Sequence, residues 1–255
     1  MSHDPDGLRD DQWERLRDLI PGGRAGQRGP RCDNRRFVEA LLWMARSGGR
    51  WRDLPERLGD HQAVKRRYYR WIERGVLDGV LAALSAEADL EWLLIDSTIV
   101  RAHQHAAGAR LSKGGRNAQG LGRSRGGLST KIHVACDALG DPVRLLLGPG
   151  QQNDMAQAHA LIEGLSPKAV IADKGYGADP LHDAILDAGA EPVIPPRRHR
   201  RRPHAYDRHL YTERNRIERF FAKLKQFRRV ATRYDKLLAN FRGFVLLAAI
   251  AISLA

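Results

Sequence analysis

The hydrophobic period of the sequence changes near Glu91, and this change limits the folds that the chain can adopt. Before Glu91, apolar residues recur every three or four positions between capping and glycine signals, which predicts four helices between residues 10 and 88. After Glu91, apolar and polar residues alternate, which predicts strands at 92–100, 128–138 and 142–147. The chain therefore combines a helical first part with an α/β second part.

The predicted elements of the second part follow a defined order. Three strands with a hairpin connection come first, and helices and strands then alternate, which sets the last strands parallel through helical crossovers. These later elements are a helix at 153–164, a strand at 168–172, a helix at 180–188, a strand at 191–194, and helices at 212–227 and 234–255. This order predicts an α/β, ribonuclease-H-like catalytic domain at 91–255, a mixed sheet with flanking helices, preceded by a small all-helical domain at 1–90.

The charge of the chain indicates a polyanionic partner. Forty-three Lys and Arg residues against 30 Asp and Glu residues give a formal net charge of +13 and a pI near 10.3. Nucleic acid is the usual partner of such a chain, and a ribosomal-type structural protein or a merely basic enzyme is the alternative. Lys65, Arg66 and Arg67 lie among aromatic residues on the predicted third helix, in an arrangement that resembles a helix-turn-helix. An ordinary helical bundle with a solvated basic face would give the same pattern.

Two further basic segments are candidates for contacts with DNA phosphates. The glycine-rich segment 103–127 is expected to be a flexible loop, and the segment 197–202 is a run of arginines around one histidine. A solvated charge run is the alternative for the second segment. The candidate contacts in and beside these segments are Arg123, Arg125, Lys174, Arg197, Arg198 and Arg200. The other basic residues of the two segments are Arg110, Lys113, Arg116, Arg201 and Arg202.

Cysteine content and the two termini restrict the compartment. The two cysteines, Cys32 and Cys136, exclude a disulfide framework and a four-thiolate zinc site. The polar N-terminus lacks the pattern of a secretory signal, and the apolar stretch 244–255 is too short to span a bilayer. We therefore expect a cytoplasmic, nucleoid-associated protein without a membrane partner.

Two aspartates occupy positions where a carboxylate is costly. Asp96 lies inside the apolar run 93–100, and Asp173 ends the apolar run 169–172. Burial of a carboxylate costs several kcal/mol unless it is paired or binds a cation. Ligands of α/β sheets gather beyond the carboxyl ends of the strands, where Asp173 is expected. For Asp96, a solvent-facing position on an edge strand is the alternative.

A third carboxylate, Glu218, shares one line of a predicted helix with three functional side chains. At 100° per residue, Tyr211, Arg214, Glu218 and Lys225 fall within an arc of roughly 60°. This line borders the apolar stripe of the helix, so it lies between the packed side and the open side. A surface ion pair between Arg214 and Glu218 is the simpler explanation of their spacing.

Three carboxylates from two strands and a helix suit hard divalent cations. Mg²⁺ or Mn²⁺ takes oxygen ligands, and two such ions stabilise the attacking and leaving oxygens of a phosphoryl displacement. A zinc site is a poorer explanation, because His103 and His105 have no further ligands at zinc-site spacing. Asp96, Asp173 and Glu218 are thus the candidate metal ligands.

The motifs around these residues resemble bacterial insertion-sequence transposases of the insertion-sequence-five family. The segment 95–98 (Ile-Asp-Ser-Thr) resembles the first acidic motif of that family, and 172–176 (Ala-Asp-Lys-Gly-Tyr) the second. Tyr211, Arg214, Glu218 and Lys225 match its Y-R-E-K signature. Segments 10–15, 33–40 and 51–55 resemble its N-terminal region, so the resemblance covers nearly the whole chain.

This resemblance implies a DNA transposase with an intact Asp/Asp/Glu centre and, as its cofactor, two Mg²⁺ or Mn²⁺ ions. It implies recognition of terminal inverted repeats, cleavage at the element ends, joining to target DNA, and a homo-oligomer, with a dimer favoured. Contacts near the scissile bond are expected from Arg214 and Lys225, and stacking or positioning from Tyr211. A catalytically silent DNA-binding regulator, or a metal-dependent nuclease without strand transfer, stays open as an alternative.

Overall fold

The computed structural model describes residues 7–22, 33–110, 117–198, 200 and 203–255. Several of the residues named above lie outside this described part: Cys32, Lys113, Arg116, Arg201 and Arg202.

Four helices form the first part of the chain, as the hydrophobic period predicts. They are α1 (Asp10–Arg17), α2 (Asn34–Ser47), α3 (His61–Glu73) and α4 (Val76–Leu84). Asp33 caps α2 by accepting a hydrogen bond of 3.1 Å from the Arg36 amide, and Asp60 caps α3 in the same way. Gly48 ends α2 in the left-handed region, at a φ of 67°. Polar caps and a glycine thus set the bounds of α2, whereas α4 ends four residues before the predicted position.

Seven strands form one mixed sheet around a central strand. They are β1 (Trp92–Ala102), β2 (Gly122–Ser124), β3 (Gly127–Cys136), β4 (Pro142–Pro149), β5 (Ala169–Ala172), β6 (Glu191–Val193) and β7 (Thr232–Arg233). Strand β1 pairs antiparallel with β3 and parallel with β5 and β7. Strand β4 pairs antiparallel with β3, and β6 pairs parallel with β5. Three antiparallel strands followed by two parallel ones, with helical crossovers, make this a ribonuclease-H-like fold, which confirms the prediction.

Helices cover both faces of the sheet. They are α5 (Met155–Ile162), α6 (Asp179–Asp187), α7 (Arg208–Tyr211), α8 (Asn215–Gln226), α9 (Arg228–Ala231) and α10 (Leu238–Ser253). Helices α5 and α6 pack in one core with Leu93 and Ile95 of β1. Helices α8 and α10 pack in the other core with Leu94. Successive side chains of β1 therefore face different helices.

Three predicted elements need correction. The helix expected at 212–227 is divided, because residues Thr212–Arg214 form a tighter 3-10 turn between α7 and α8. The last helix begins at Leu238 and not at residue 234, because the Arg233 side chain donates to the carbonyls of Asp235 and Lys236 and holds that segment outside the helix. The segment expected to be a loop at 103–127 contains a 3-10 turn at Gln104–Ala107 and strand β2.

Helix α10 joins the two parts of the chain. The Tyr68 hydroxyl of α3 donates to the Asn240 carbonyl at 2.7 Å, and Arg242 pairs with Asp78 at 2.5 Å. One buried core includes side chains of α2, α3, α8 and α10. A division at residue 90 stays a prediction, since the helices before it and after it pack together. Among the described residues, no helix has the length and apolarity needed to cross a membrane.

Candidate active site and nucleic-acid interface

The two aspartates lie side by side at the centre of the sheet. Ile95 of β1 and Ala172 of β5 are register partners, and Asp96 and Asp173 each follow that pair by one residue. Because side chains alternate along a strand, both carboxylates face the side of the sheet that α8 covers. The alternative of a solvent-facing edge position for Asp96 is therefore wrong, since β1 is a central strand.

The Asp96 carboxylate is largely buried and accepts two hydrogen bonds. Its Oδ1 accepts from the Ser97 amide at 2.7 Å, and its Oδ2 accepts from the Arg214 Nη2 at 2.6 Å. Burial raises the pKa of Asp96, Asp173 raises it further, and Arg214 and the Ser97 amide oppose both effects. The net pKa lies above the ordinary value, so a further cation at this place would relieve repulsion between the two carboxylates.

The Asp173 carboxylate begins a 3-10 turn, Lys174–Tyr176, by accepting a hydrogen bond of 2.7 Å from the Gly175 amide. A Cβ atom at Gly175 would lie only 2.7 Å from the Asp173 Oδ1. A side chain here would thus push the carboxylate out of place, and glycine keeps the aspartate at the end of its strand.

The Arg214 guanidinium joins two of the three candidate carboxylates. Its Nη2 donates to Asp96, and its Nη1 donates to the Glu218 Oε1 at 2.5 Å. Burial alone would lower the pKa of Arg214, but Asp96, Tyr211 and Glu218 outweigh that effect and raise it. The Glu218 side chain is exposed, so the bridge runs from a surface carboxylate through Arg214 to the partly buried Asp96 on the sheet, and the ion pair is more than an isolated surface pair.

The donor set at this place fits hard divalent cations. In the described part of the chain, no three His, Cys, Asp or Glu side chains already converge as a metal-binding group. Glu218 does not join the aspartates in such a group because the Arg214 guanidinium occupies the space between Asp96 and Glu218. Carboxylate oxygens of Asp96 and Asp173 are the ligands that Mg²⁺ and Mn²⁺ prefer. Glu218 would join them when Arg214 turns to another anion.

The remaining members of the predicted helical line lie at different distances from the aspartates. The pKa of Tyr211 is raised, first by burial and then by carboxylates that include Asp173, which places the phenol beside the site. Its ring meets that of Tyr206 edge-on at 5.7 Å. Lys225 is exposed on α8, seven residues after Glu218, or about 10 Å along the helix axis.

Two of the basic residues near the site donate hydrogen bonds to the backbone after Asp173. Arg197 donates to the Gly175 carbonyl at 2.8 Å, and Arg200 donates to the Gly177 carbonyl at 2.8 Å. Both therefore brace the segment after Asp173. Four other candidate contacts have exposed side chains, as Arg197 itself has: Arg123, Arg125, Lys174 and Arg198.

A basic cavity of about 660 Å³ lies between α3 and the 3-10 turn Trp51–Asp53. Its described lining carries four arginine or lysine side chains and no carboxylate: Arg50, Arg52, Lys65 and Arg66, beside Trp51, His61, Gln62 and Tyr69. The sequence predicts Lys65 and Arg66 as DNA contacts, but Arg50 and Arg52 are not among the predicted contacts. The basic residues on both sides of Trp51 were the available signal.

Arg67, the third basic residue of the predicted helical contact, lies elsewhere. It is 6% exposed, and its guanidinium lies 4.0 Å from the centre of the Phe37 ring. It also donates to the Asn34 side chain at 2.5 Å. Arg67 therefore holds α3 against α2, and the expectation that it contacts DNA needs correction, because its charge is already covered by an aromatic ring.

Family models match both parts of the chain. Residues 87–254 match the family described as transposase DDE domain, and residues 8–81 match the family described as putative transposase of the IS4/5 family. The first match covers more than half of the chain.

Individual relatives match shorter stretches. An uncharacterized protein y4sN of Sinorhizobium fredii is 79% identical over 113 residues, 44% of this chain and 90% of that protein. A putative transposase for insertion sequence element IS6501 of Brucella ovis is 43% identical over 125 residues, 48% of this chain and 95% of that protein. Among solved structures, a piggyBac transposase synaptic complex with hairpin DNA matches with a TM-score of 0.42 and 13% identity, covering 75% of this chain and 49% of that one.

Proposed function

Because this chain belongs to the family of transposases with a DDE domain, we propose that it binds the ends of a mobile DNA element, cleaves them and joins them to target DNA. The observation that carries this proposal is the pair of adjacent aspartates on β1 and β5, with Arg214 linking Asp96 to Glu218 on α8. Two adjacent, partly buried carboxylates that repel each other have no structural benefit that apolar residues would not exceed. Their placement is explained by cation binding.

The metal ligands in this proposal are Asp96, Asp173 and Glu218. Bound Mg²⁺ or Mn²⁺, as one ion or a pair, would stabilise the developing charge on the attacking and leaving oxygens of a phosphodiester. The chain's own contribution is to hold Asp96 and Asp173 in register on rigid strands, while Gly175 leaves room for the second carboxylate. Glu218 comes from a helix, so its side chain can change partner without a change in the sheet.

Arg214 has two possible anionic partners in this proposal. Its planar fork of donors fits a carboxylate and a phosphate equally well. If the carboxylates held cations, the Arg214 guanidinium would be available to a phosphate oxygen of the DNA beside the scissile bond. Tyr211 then stacks on a base or positions the backbone, and Lys225 contacts the strand about two helical turns away.

Contacts with the rest of the DNA are assigned to exposed cations. Arg123, Arg125, Lys174 and Arg198 lie on the sheet end that also carries Asp173 or on its neighbouring loops, and Lys65 and Arg66 line the basic cavity. Neutralising phosphates in this way makes affinity depend steeply on salt. A homodimer would supply one such surface for each end of the element.

The test is incubation of the chain with labelled DNA that carries both element ends, with and without Mg²⁺ or Mn²⁺. Metal-dependent end cleavage followed by joined products is the expected result. Cleavage without joining would replace the proposal with a nuclease, and binding without cleavage would replace it with a DNA-binding regulator.

A further inference from the structure

A second polar cluster lies on the opposite face of the sheet, directly behind Asp96. We call it the rear cluster, and its members are Ser97, Lys131, His133, Asp154 and Tyr176. Ser97 follows Asp96 on β1 and therefore faces the side that α5 and α6 cover. His133 of β3 is the register partner of Ser97, which places the two side chains on the same face.

Three members of the rear cluster connect three elements of the fold. The Ser97 hydroxyl of β1 donates to the Asp154 Oδ1, immediately before α5. Lys131 Nζ of β3 donates to the same Oδ1 at 2.9 Å and to the Gln152 carbonyl at 2.7 Å. Burial alone would raise the pKa of Asp154, but the hydrogen bonds from Ser97 and Lys131 hold it below its ordinary value. Asp154 is thus a charged acceptor that fixes β1 to β3 and α5.

Tyr176 connects the rear cluster to the second aspartate. It ends the 3-10 turn that Asp173 begins, and its amide donates to the Asp173 carbonyl at 3.0 Å. Its ring is fully buried against the α5 and α6 core. The pKa of Tyr176 is raised strongly, first by burial and then by Asp154, Asp96 and Asp173. Tyr176 thus packs against the α5 and α6 core directly after Asp173, although its buried hydroxyl has no hydrogen-bond partner among the described residues.

Burial of the polar side chains of the rear cluster costs free energy. The Lys131 side chain is 10% exposed, and both ring nitrogens of the buried His133 have no hydrogen-bond partner among the described residues. Apolar side chains of similar volume would fill such a space at no loss of stability, and often with a gain. A polar network at this place therefore indicates a requirement for geometry rather than for stability.

We propose that Ser97, Lys131 and Asp154 are positioning residues, which hold β1 and the start of the segment after β5 at the separation that Asp96 and Asp173 need to share cations. The inference rests on the proposed function, because it assigns cation binding to those two aspartates. It adds three residues, on the opposite face of the sheet, that touch neither the cation nor the DNA.

The test compares Ser97→Ala with Ser97→Thr and with a matched control. Ser129→Ala is that control, because Ser129 is a fully buried serine on β3 whose hydroxyl bonds to Ser124, away from the aspartates. Mn²⁺ affinity is measured by titration calorimetry, and DNA affinity and cleavage rate are measured on labelled ends. We expect Ser97→Ala to weaken Mn²⁺ binding by about 10-fold or more, as outer-shell partners do. The cleavage rate should fall with it and DNA affinity should stay unchanged, while Ser97→Thr and Ser129→Ala behave as wild type.

A second variant keeps the test decisive if Ser97→Ala fails to fold. The double substitution Lys131→Met with Asp154→Leu replaces the ion pair by apolar residues of similar volume. If the ion pair between Lys131 and Asp154 is purely structural, this variant should be folded and fully active. If Lys131 and Asp154 are positioning residues, the variant should be folded but should bind Mn²⁺ more weakly and cleave DNA more slowly.

The outcomes separate this inference from the function on which it rests. Wild-type chain that binds no Mn²⁺ and cleaves no DNA would overturn the proposed function itself. Wild-type chain that binds and cleaves, with Mn²⁺ affinity unchanged in Ser97→Ala or in the double variant, would overturn only the positioning role. The same applies if Ser129→Ala loses as much Mn²⁺ affinity as Ser97→Ala.

Discussion

A fully buried arginine, Arg233, and a partly buried one, Arg214, differ in the atoms that accept their hydrogen bonds. Arg233 of β7 is fully buried and donates mainly to neutral oxygens, the Gln119 carbonyl and Thr130 hydroxyl at 2.7 Å and the Asp235 carbonyl at 2.9 Å. Arg214 donates to the carboxylates of Asp96 and Glu218. The first guanidinium joins strands and loops, and the second lies between two carboxylates that are proposed as metal ligands.

The pKa values of the two arginines express this difference. Burial lowers the pKa of Arg233 to about 10, with only Asp235 opposing it, so the side chain is still charged at neutral pH. The pKa of Arg214 is raised, because the nearby carboxylates outweigh burial. Neutral oxygens that are already enclosed have no other cation to take, whereas carboxylates can exchange a guanidinium for a metal ion. We therefore expect Arg233 to matter for stability and Arg214 for the proposed reaction.

The largest expected effect is on the structural side of the comparison. Arg233→Ala leaves several enclosed oxygens without a donor and should lower the free energy of unfolding by about 3–5 kcal/mol. Denaturant unfolding measures this loss. The exposed Arg198→Ala is the control, with an expected change within about 0.5 kcal/mol. A loss below about 1 kcal/mol in Arg233→Ala would contradict the structural role.

Arg214→Ala should affect DNA cleavage and leave stability nearly unchanged. We expect its unfolding free energy to stay close to that of wild type and its DNA cleavage rate to fall on the order of 100-fold, as for a lost transition-state donor. The matched control is Arg216→Ala, which breaks an ion pair with Glu213 on the same segment. If Arg214→Ala cleaves DNA as fast as Arg216→Ala, the reactive role of Arg214 is wrong.

His133 is a third buried basic side chain, and its ring nitrogens have no hydrogen-bond partner among the described residues. Burial lowers its pKa to about 4, Asp154 opposes that effect, and Lys131 adds to it. Because the unfolded pKa is about 6.5, the unfolded state takes up the proton first. The stability is therefore fully present above pH 6.5 and is lost as the pH falls toward 4.

The expected loss from His133 protonation is about 2.5 kcal/mol between pH 7 and pH 4.5. Denaturant unfolding at the two pH values measures it in wild type and in His133→Gln, in which this part of the loss should disappear. The exposed His159→Gln should retain the full loss. An equal pH dependence in wild type and His133→Gln would show that the histidine does not titrate as its burial requires.

The smallest expected effect concerns an arginine that is exposed. Arg66→Ala in the basic cavity should weaken DNA binding by less than about 10-fold and reduce the salt dependence by about one released counterion. DNA affinity measured across a salt series gives both values. Arg74→Ala, at the other end of α3, should leave the slope unchanged, and an unchanged slope in Arg66→Ala would exclude a phosphate contact there.

Local signals predicted much of this molecule. Capping and glycine signals predicted the bounds of α2, and the apolar runs 93–100 and 169–172 predicted two of the strands, whose pairing the structure adds. The sequence did not reveal contacts that depend on distant segments. Arg67 was misassigned because Phe37, which covers it, comes from another helix. Asp154 is not among the predicted functional residues, because its partners Ser97 and Lys131 lie 57 and 23 residues away.

The most direct test of the account is the cleavage of labelled element ends by Asp173→Asn, measured beside wild type with Mg²⁺ or Mn²⁺ and with a chelator. The substitution keeps an oxygen that can accept from the Gly175 amide but removes the charge that a cation needs. We expect the Asp173→Asn variant to bind the element ends as wild type does and to cleave none of them. Wild type should cleave only when Mg²⁺ or Mn²⁺ is present. Cleavage by Asp173→Asn at the wild-type rate, or wild-type cleavage in the chelator, would contradict the assignment of the reaction to this carboxylate centre.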